Sequence, residues 1–118
     1  MKPLSLPKSC LLRKPWEYRK VYKSGLRIRS DRLTIIHTPN GTGENRLGIS
    51  IHGIKKAVIR NRIKRIIREF FRLNRTFIEP ASDIIFAVRD GFTPNSPAEI
   101  ENLVEQMLGN RKNSTHPS

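Results

Sequence analysis

Hydrophobic and polar positions follow two different periods along the chain, and each period predicts a different kind of element. From residue 46 to 52, three apolar residues alternate with small or polar ones, which indicates a strand with one buried face. Residues 27–37 contain three β-branched residues in a row and end at a Thr-Pro-Asn-Gly turn. Because Asn-Gly between two apolar segments is a turn signal, these two segments are expected to form a β-hairpin.

Three other segments have the spacing or the boundary residues of helices. Residues 15–23 begin with a proline, which suits the first helical position, and are followed by Ser-Gly. Near the end of the chain, a helix is expected from Ser96-Pro97 to about Leu108, with Glu99 completing its N-terminal cap. The clearest helix covers residues 55–75, where apolar side chains fall in an arc of about 100° that is expected to face the core. This stripe consists of Ile59, Ile63, Ile66, Ile67 and Phe70.

The order of these elements predicts the fold class and the domain organisation. Residues 83–88 form a short apolar run that favours a buried strand. We therefore expect an α/β (α+β) two-layer sandwich, one sheet covered by helices in the order α-β-β-α-β-α. Residues 15–108 are expected to form a single domain, after a basic, loosely ordered N-terminal arm over residues 1–14 and before a disordered polar tail over residues 109–118.

The net positive charge of the chain indicates which class of molecule it binds. The 118 residues include 23 Lys and Arg against 10 Asp and Glu, a net charge of +13. Residues 1–75 hold 20 of the basic residues and 4 of the acidic ones, so the excess lies in the first two thirds. A polyanion is the expected partner. The single cysteine excludes an internal disulfide, and no apolar stretch approaches the ~18 residues of a membrane span, so we expect a cytoplasmic protein without a membrane partner.

The helix over residues 55–75 concentrates this charge on the side opposite the apolar stripe. Like charges four residues apart repel by a few tenths of a kcal/mol per pair, and a bound anion relieves that repulsion. Arginine outnumbers lysine there, which suits bidentate contacts to phosphate. We expect phosphate binding rather than a merely solvated surface. The basic face consists of Arg60, Asn61, Lys64, Arg65, Arg68, Arg72 and Arg75, with Arg62 at its border.

Aromatic residues on the first helix favour RNA over DNA. Tyr18 and Tyr22 lie four residues apart on one face, next to Arg19 and Lys23. Such rings can stack bases of single-stranded RNA, although ordinary packing in the core is an equal alternative and both roles can coexist. The basic helix follows a strand rather than a partner helix, so no helix-turn-helix is indicated and no DNA partner is expected.

Three blocks of the sequence carry a resemblance to a known family. The run AVIRNRIKRIIRE at residues 57–69 resembles the RNR signature of the bacterial ribonuclease P protein component. YRKVYKSG at residues 18–25 and RLGISI at residues 46–51 resemble two further blocks of that family, in the same order and spacing. The resemblance covers roughly residues 11–108.

The resemblance implies a function and a topological detail. It implies the protein subunit of ribonuclease P, a ribonucleoprotein endoribonuclease that removes the 5′ leader from precursor tRNA. The partners would be ribonuclease P RNA, which carries the chemistry, and precursor tRNA, with Mg²⁺ held mainly by RNA and substrate. The protein would bind the catalytic RNA and the leader, lower the Mg²⁺ requirement and have no catalytic activity alone. The family fold also has a left-handed βαβ crossover, against the strong right-handed preference.

The resemblance also assigns residues to two surfaces of a single RNA-binding domain at residues 15–108. No catalytic residue and no metal ligand is assigned to the protein. The implied RNA-binding residues are Lys55, Lys56, Arg60, Asn61, Arg62, Lys64, Arg65 and Arg68. The implied leader-binding cleft consists of Tyr18, Arg19, Tyr22 and Lys23.

Scattered acidic residues and histidines agree with this assignment, since they do not have the spacing of an acid–base pair or a metal site. The alternative is a non-enzymatic RNA-binding module, such as a ribosomal protein or a tRNA-binding factor. Its size and charge would be the same, but it leaves the three blocks unexplained.

Overall fold

The computed structural model describes residues 6–115, with side chains as far as residue 109. The three predicted helices are present, and the first begins at the predicted proline. A short 3-10 turn, Lys8–Cys10, precedes them. The elements are α1 (Pro15–Ser24), β1 (Leu26–Arg29), β2 (Leu33–Pro39), β3 (Arg46–His52), α2 (Ala57–Leu73), β4 (Ser82–Arg89) and α3 (Pro97–Thr115).

The four strands form one mixed sheet in the order β1-β2-β4-β3. Strand β4 pairs antiparallel with β2 and parallel with β3, so the predicted hairpin between residues 27–37 and 46–52 is wrong. Strand β4 is apolar on both faces, with Ile84 and Phe86 on one and Ile85 on the other, all fully buried. A strand that is apolar on both faces is stable only where other elements cover both faces. Strand β4 has this cover at its central position between β2 and β3.

The predicted strand over residues 27–37 is two strands, so three strands precede α2 instead of two. The chain bends at Asp31 and Arg32, and the backbone N–H of Ser30 donates to the carbonyl oxygen of Leu33 across this bend at 2.8 Å. Polar residues at this point favour a turn over a continued strand, and β1 folds back antiparallel on β2.

Helices lie on both faces of the sheet. Helices α2 and α3 cover the face that carries Ile84 and Phe86. Helix α1 covers the opposite face, where Val21 packs against Ile36 and Ile85. The α/β sandwich is confirmed, but helices on both faces of the sheet give it three layers instead of the predicted two. Strand β3, α2 and β4 form the βαβ unit that the resemblance implies, and the left-handed sense of its crossover stays a prediction.

The apolar stripe of α2 is confirmed from Ile63 onward. Ile63, Ile66, Ile67 and Phe70 are buried, but Ile59 is 38% exposed, so its predicted place in the core is wrong. Ile59 lies in the first turn of the helix, and the buried residues of α2 begin one turn later. Helical periodicity identifies the face of a helix but not how far along its length the neighbouring layer extends.

The described part of the N-terminal segment packs on the sheet, in contrast to the expected loosely ordered arm. The amide of Leu12 donates to the carbonyl of Leu47 at 2.8 Å, which covers part of the outer edge of β3. Leu12 and Cys10 are buried, and the Cys10 thiol lies 2.6 Å from the guanidinium of Arg75. Leu11 and Leu12 are apolar, so their burial favours this packing. The segment also covers free backbone groups at the edge of β3, and this stabilises an edge strand. Residues 1–5 of the predicted arm lie outside the described residues.

The last helix is longer than the sequence predicted. It passes through Gly109 and ends at Thr115, so the expected disorder from residue 109 is wrong up to that point. Glycine in a helix costs about 1 kcal/mol but does not break it, and the next proline is at position 117. Residues 116–118 of the predicted tail lie outside the described residues.

Candidate nucleic-acid interface

A cleft of about 310 Å³ opens at the outer edge of β3, between the N-terminal segment, α1 and α2. Its lining combines apolar side chains of β3 and the N-terminal segment with four cationic side chains. It brings together Tyr18 from the predicted leader-binding set and Lys64 and Arg68 from the predicted RNA-binding set, which are more than 40 residues apart in the chain. The cleft is lined by Lys8, Leu11, Leu12, Arg13, Tyr18, Leu47, Ile49, Lys64 and Arg68.

Tyr18 is held against the edge of the sheet by one hydrogen bond and one close packing contact. Its hydroxyl oxygen accepts the backbone N–H of Ile49 at 3.3 Å. Its ring lies over Gly48, where a Cβ atom would come within 2.9 Å of the Tyr18 Cε2 atom. Only glycine at position 48 allows this close approach, so a residue without a side chain positions the aromatic residue of the cleft.

A chain of charged groups attaches the start of α1 to the sheet. Arg46 of β3 donates two hydrogen bonds to Asp83 of β4, each at 2.8 Å, and one to Glu17 of α1 at 3.1 Å. Glu17 also accepts the backbone N–H groups of Arg13 and Lys14 at 2.8 and 2.9 Å. These amides precede the first turn of α1 and would otherwise lack a partner in the helix. The network therefore fixes α1, and with it Tyr18, relative to β3.

The pKa values of the two carboxyl groups reflect this network. Backbone hydrogen bonds from Arg13 and Lys14, together with the Arg46 guanidinium, lower the pKa of Glu17. Burial alone would raise the pKa of Asp83. Hydrogen bonds from Arg46 and from the side-chain amide of Asn40 outweigh the effect of burial, so this pKa is lowered as well. Both carboxyl groups are therefore more acidic in the folded protein than in the unfolded chain.

The free energy of unfolding is expected to fall when the pH drops below the ordinary carboxyl range of about 4. A group whose pKa is lowered by folding contributes its full stabilisation above its unfolded pKa and loses it as the pH falls through its folded pKa. Urea midpoints between about pH 7 and pH 3 measure the fall. The variant carrying Glu17→Gln and Asp83→Asn removes both titrations and should show a smaller fall; an equal fall in this variant and the parent would contradict the assignment.

Lys64 and Arg68 make one side of the cleft positive. They are separated by one turn of α2, a rise of about 6 Å, and therefore lie on the same face. Among the residues that the structure describes, neither side chain has an ion-pair partner. Their mutual repulsion is uncompensated within the described fold, and an anion in the cleft would relieve it.

Two other residues of the RNR run hold loops in place. The guanidinium of Arg60 donates to the carbonyl oxygens of Ile54 and Lys55, at 3.0 and 2.6 Å. The guanidinium of Arg62 donates to the side-chain oxygen of Asn95, at 3.3 Å, beside the start of α3. A guanidinium has five N–H donors, so both arginines retain donors for phosphate. The sequence did not reveal this structural role. The remaining predicted RNA-binding residues are exposed on or just before α2: Lys55, Lys56, Asn61 and Arg65.

The other residues predicted for the leader-binding cleft lie outside its lining. Arg19 and Lys23 are exposed. The ring of Tyr22 packs against the cluster that contains Val21 and Ile36, and its buried hydroxyl has no hydrogen-bond partner among the described residues. Tyr22 has the contacts of the packing alternative and its role toward the leader stays a prediction, while Tyr18 combines packing with access to the cleft.

The N-terminal segment contributes residues to the cleft that the sequence pattern does not indicate. Lys8 and Arg13 supply two of the four cations of the cleft, and Leu11 and Leu12 supply part of its floor. The apolar pair Leu11-Leu12, which lies between Pro7 and Pro15, is the signal in the sequence for this packing.

Within the described residues there is no group of three or more His, Cys, Asp or Glu side chains that could hold a metal ion. Over residues 6–115, no helix combines the length and apolar character needed to cross a membrane.

Comparisons with known proteins agree with one another. The family model for ribonuclease P matches residues 6–112. The ribonuclease P protein component of Desulfotalea psychrophila is 49% identical over 110 residues, 92% of each chain, and that of Clostridium kluyveri is 37% identical over 82% of this chain and 89% of its own. The RNase P protein structure from Staphylococcus aureus has a TM-score of 0.73 at 31% identity, covering 89% of this chain and 97% of that one. This chain therefore belongs to the family of ribonuclease P protein components.

Proposed function

We propose that this ribonuclease P subunit holds the 5′ leader of precursor tRNA in the cleft at the outer edge of β3. A catalytic RNA subunit then cuts the leader from the tRNA. The observation that carries the proposal is the meeting of Tyr18 with Lys64 and Arg68 around one cleft. An aromatic ring beside cations is the arrangement that binds single-stranded RNA, because bases stack on the ring and phosphates contact the cations. A leader is single-stranded, so its bases are accessible to such a site.

The same arrangement supports binding without strong sequence preference. Lys64 and Arg68 contact phosphate oxygens, which every leader has, and the partly exposed Ile49 contacts a base through its apolar surface. The Tyr18 hydroxyl already accepts the amide of Ile49 and can donate its own proton to a ribose or phosphate oxygen. The cleft would therefore contribute affinity for precursors as a class.

The exposed residues of α2 and the loop before it bind the catalytic RNA in this proposal. Lys55, Lys56, Asn61 and Arg65 project into solvent, away from the side that packs on the sheet. Cations placed between two RNA molecules reduce the repulsion between their phosphates, and this would lower the Mg²⁺ concentration needed for cleavage. Mg²⁺ itself would be held by RNA and substrate, so the chain supplies charge and positioning.

Reconstitution tests the proposal. The purified protein is mixed with a bacterial ribonuclease P RNA and a precursor tRNA at low Mg²⁺, and release of the 5′ leader is measured beside controls with protein alone and RNA alone. We expect efficient cleavage only when protein and RNA are both present. Tight binding to structured RNA without stimulated cleavage would contradict the proposal and favour the non-enzymatic RNA-binding module.

A further inference from the structure

We infer that α1 has a second RNA-binding surface, on which Trp16 stacks a base of the leader after the strand has left the cleft. This surface is the outer face of α1, formed by Trp16, Arg19 and Lys23. The inference rests on the proposed function of the cleft as the leader site. It adds a surface that lies outside the cleft and outside the residues that line it.

The outer face is defined by helical geometry and exposure. Trp16, Arg19 and Lys23 are spaced by three and four residues, which places them within an arc of about 60° on α1. All three are exposed, and Trp16 is 59% exposed. Val21, which is fully buried, and Tyr18 lie on the opposite side of the same helix and face the sheet. The outer face therefore does not serve the packing of α1.

The chemistry of the outer face matches single-stranded RNA. Trp16 is absent from both apolar clusters of the core, so its large ring is available to a ligand. Neither Arg19 nor Lys23 has an ion pair among the described residues. Glu17, the acidic residue of α1, is directed to Arg46 instead. An exposed aromatic ring with unneutralised cations one and two turns away can stack a base and contact the phosphates that follow it.

The outer face also continues the path of the cleft. Arg13 lines the cleft and precedes Trp16 by three residues, so their Cα atoms are separated by at most about 11 Å. Lys14 lies between them and is exposed. A strand that leaves the cleft past Arg13 thus meets positive charge and then the indole ring. This continuity argues for a longer piece of the leader as the occupant of the outer face.

The test uses the reconstituted holoenzyme and precursor tRNAs whose leaders increase in length. We expect Trp16→Ala to weaken binding of long-leader precursors roughly tenfold, which is within the range for loss of one base–aromatic stack, and to leave short-leader precursors unaffected. Trp16→Phe retains a ring and should retain most of the affinity. Leu26→Ala is the matched control, because Leu26 is also 59% exposed but lies on β1, at the other edge of the sheet.

Fluorescence gives a second readout, since Trp16 is the single tryptophan of the chain. Its emission should change when the holoenzyme binds a long-leader precursor and stay constant with a short-leader precursor. Constant emission with both substrates, or a Trp16→Ala loss that is equal at every leader length, would overturn the inference. Failure of the cleft proposal itself would be seen separately, as an absence of leader-dependent binding in the parent holoenzyme.

Discussion

Replacing both Lys64 and Arg68 with alanine is expected to weaken binding of precursor tRNA to the reconstituted holoenzyme about 100-fold, because two charge-assisted phosphate contacts are lost together. Mature tRNA, which has no leader, should bind with nearly unchanged affinity. Both side chains line the cleft together with Tyr18, and neither has an ion-pair partner among the described residues. Equilibrium binding of precursor and mature tRNA at several salt concentrations measures the effect.

The salt dependence identifies the cause of the loss. Each phosphate contact to single-stranded nucleic acid contributes about 0.7 to the slope of log affinity against log salt, so the double variant should have a slope shallower by about 1.4. The matched control is Arg29→Ala with Arg32→Ala, which removes the same charge from β1 and the turn after it, at the opposite edge of the sheet. An equal loss in this control would assign the effect to net charge and not to the cleft.

Replacing Arg46 with alanine is expected to lower the free energy of unfolding by about 3 kcal/mol, the low end for breaking a buried ion pair. The Asp83 side chain is only 7% exposed, and Arg46 supplies two of its hydrogen bonds. Removal of the guanidinium leaves this carboxylate with the single hydrogen bond from Asn40. The low end applies because Arg46 itself is 25% exposed, so water can reach part of the site.

Urea denaturation of the Arg46→Ala variant measures this loss. Arg72→Ala is the control: Arg72 pairs with Glu69 three residues away on the same helix, and the Glu69 side chain is 34% exposed against 7% for Asp83, so this pair should contribute far less. The Arg46 variant should also bind precursor tRNA more weakly, because Glu17 loses its link to the sheet and α1 no longer holds Tyr18 firmly at β3. Unchanged stability would show that the network is not what attaches α1.

Local patterns in the sequence predicted much of the molecule correctly. A stripe of apolar residues opposite a row of cations predicts the helix over residues 55–75, and α2 has both faces over Ala57–Leu73, with Ile59 exposed and Arg75 beyond the helix. The RNR run and the two blocks before it indicated the family, which the comparisons confirm. The α/β sandwich followed from the order of elements and is also confirmed. Each of these conclusions depends on residues that are neighbours in the sequence or on a motif that is continuous.

The candidate site was less predictable. Tyr18, Lys64 and Arg68 were assigned to two separate surfaces and line one cleft, while Arg19 and Lys23 were assigned to the cleft and lie outside its lining. Charge and aromatic character identify residues that suit RNA, but the side of α1 that faces the sheet decides which of them reach a common opening. That side is set by the packing of Val21 on β2 and β4.

By itself, the sequence determined the helices, the positive side of α2, the kind of partner and the family. Periodicity and charge act between residues close in the chain, so they can be read without knowledge of the fold. Tertiary structure alone decided that β4 separates β2 from β3, that the segment around Leu12 covers the edge of β3, and that Gly48 admits the Tyr18 ring. These features follow from competition among long-range pairings for buried surface, and a strand that is apolar on both faces takes the centre of the sheet whatever its place in the chain.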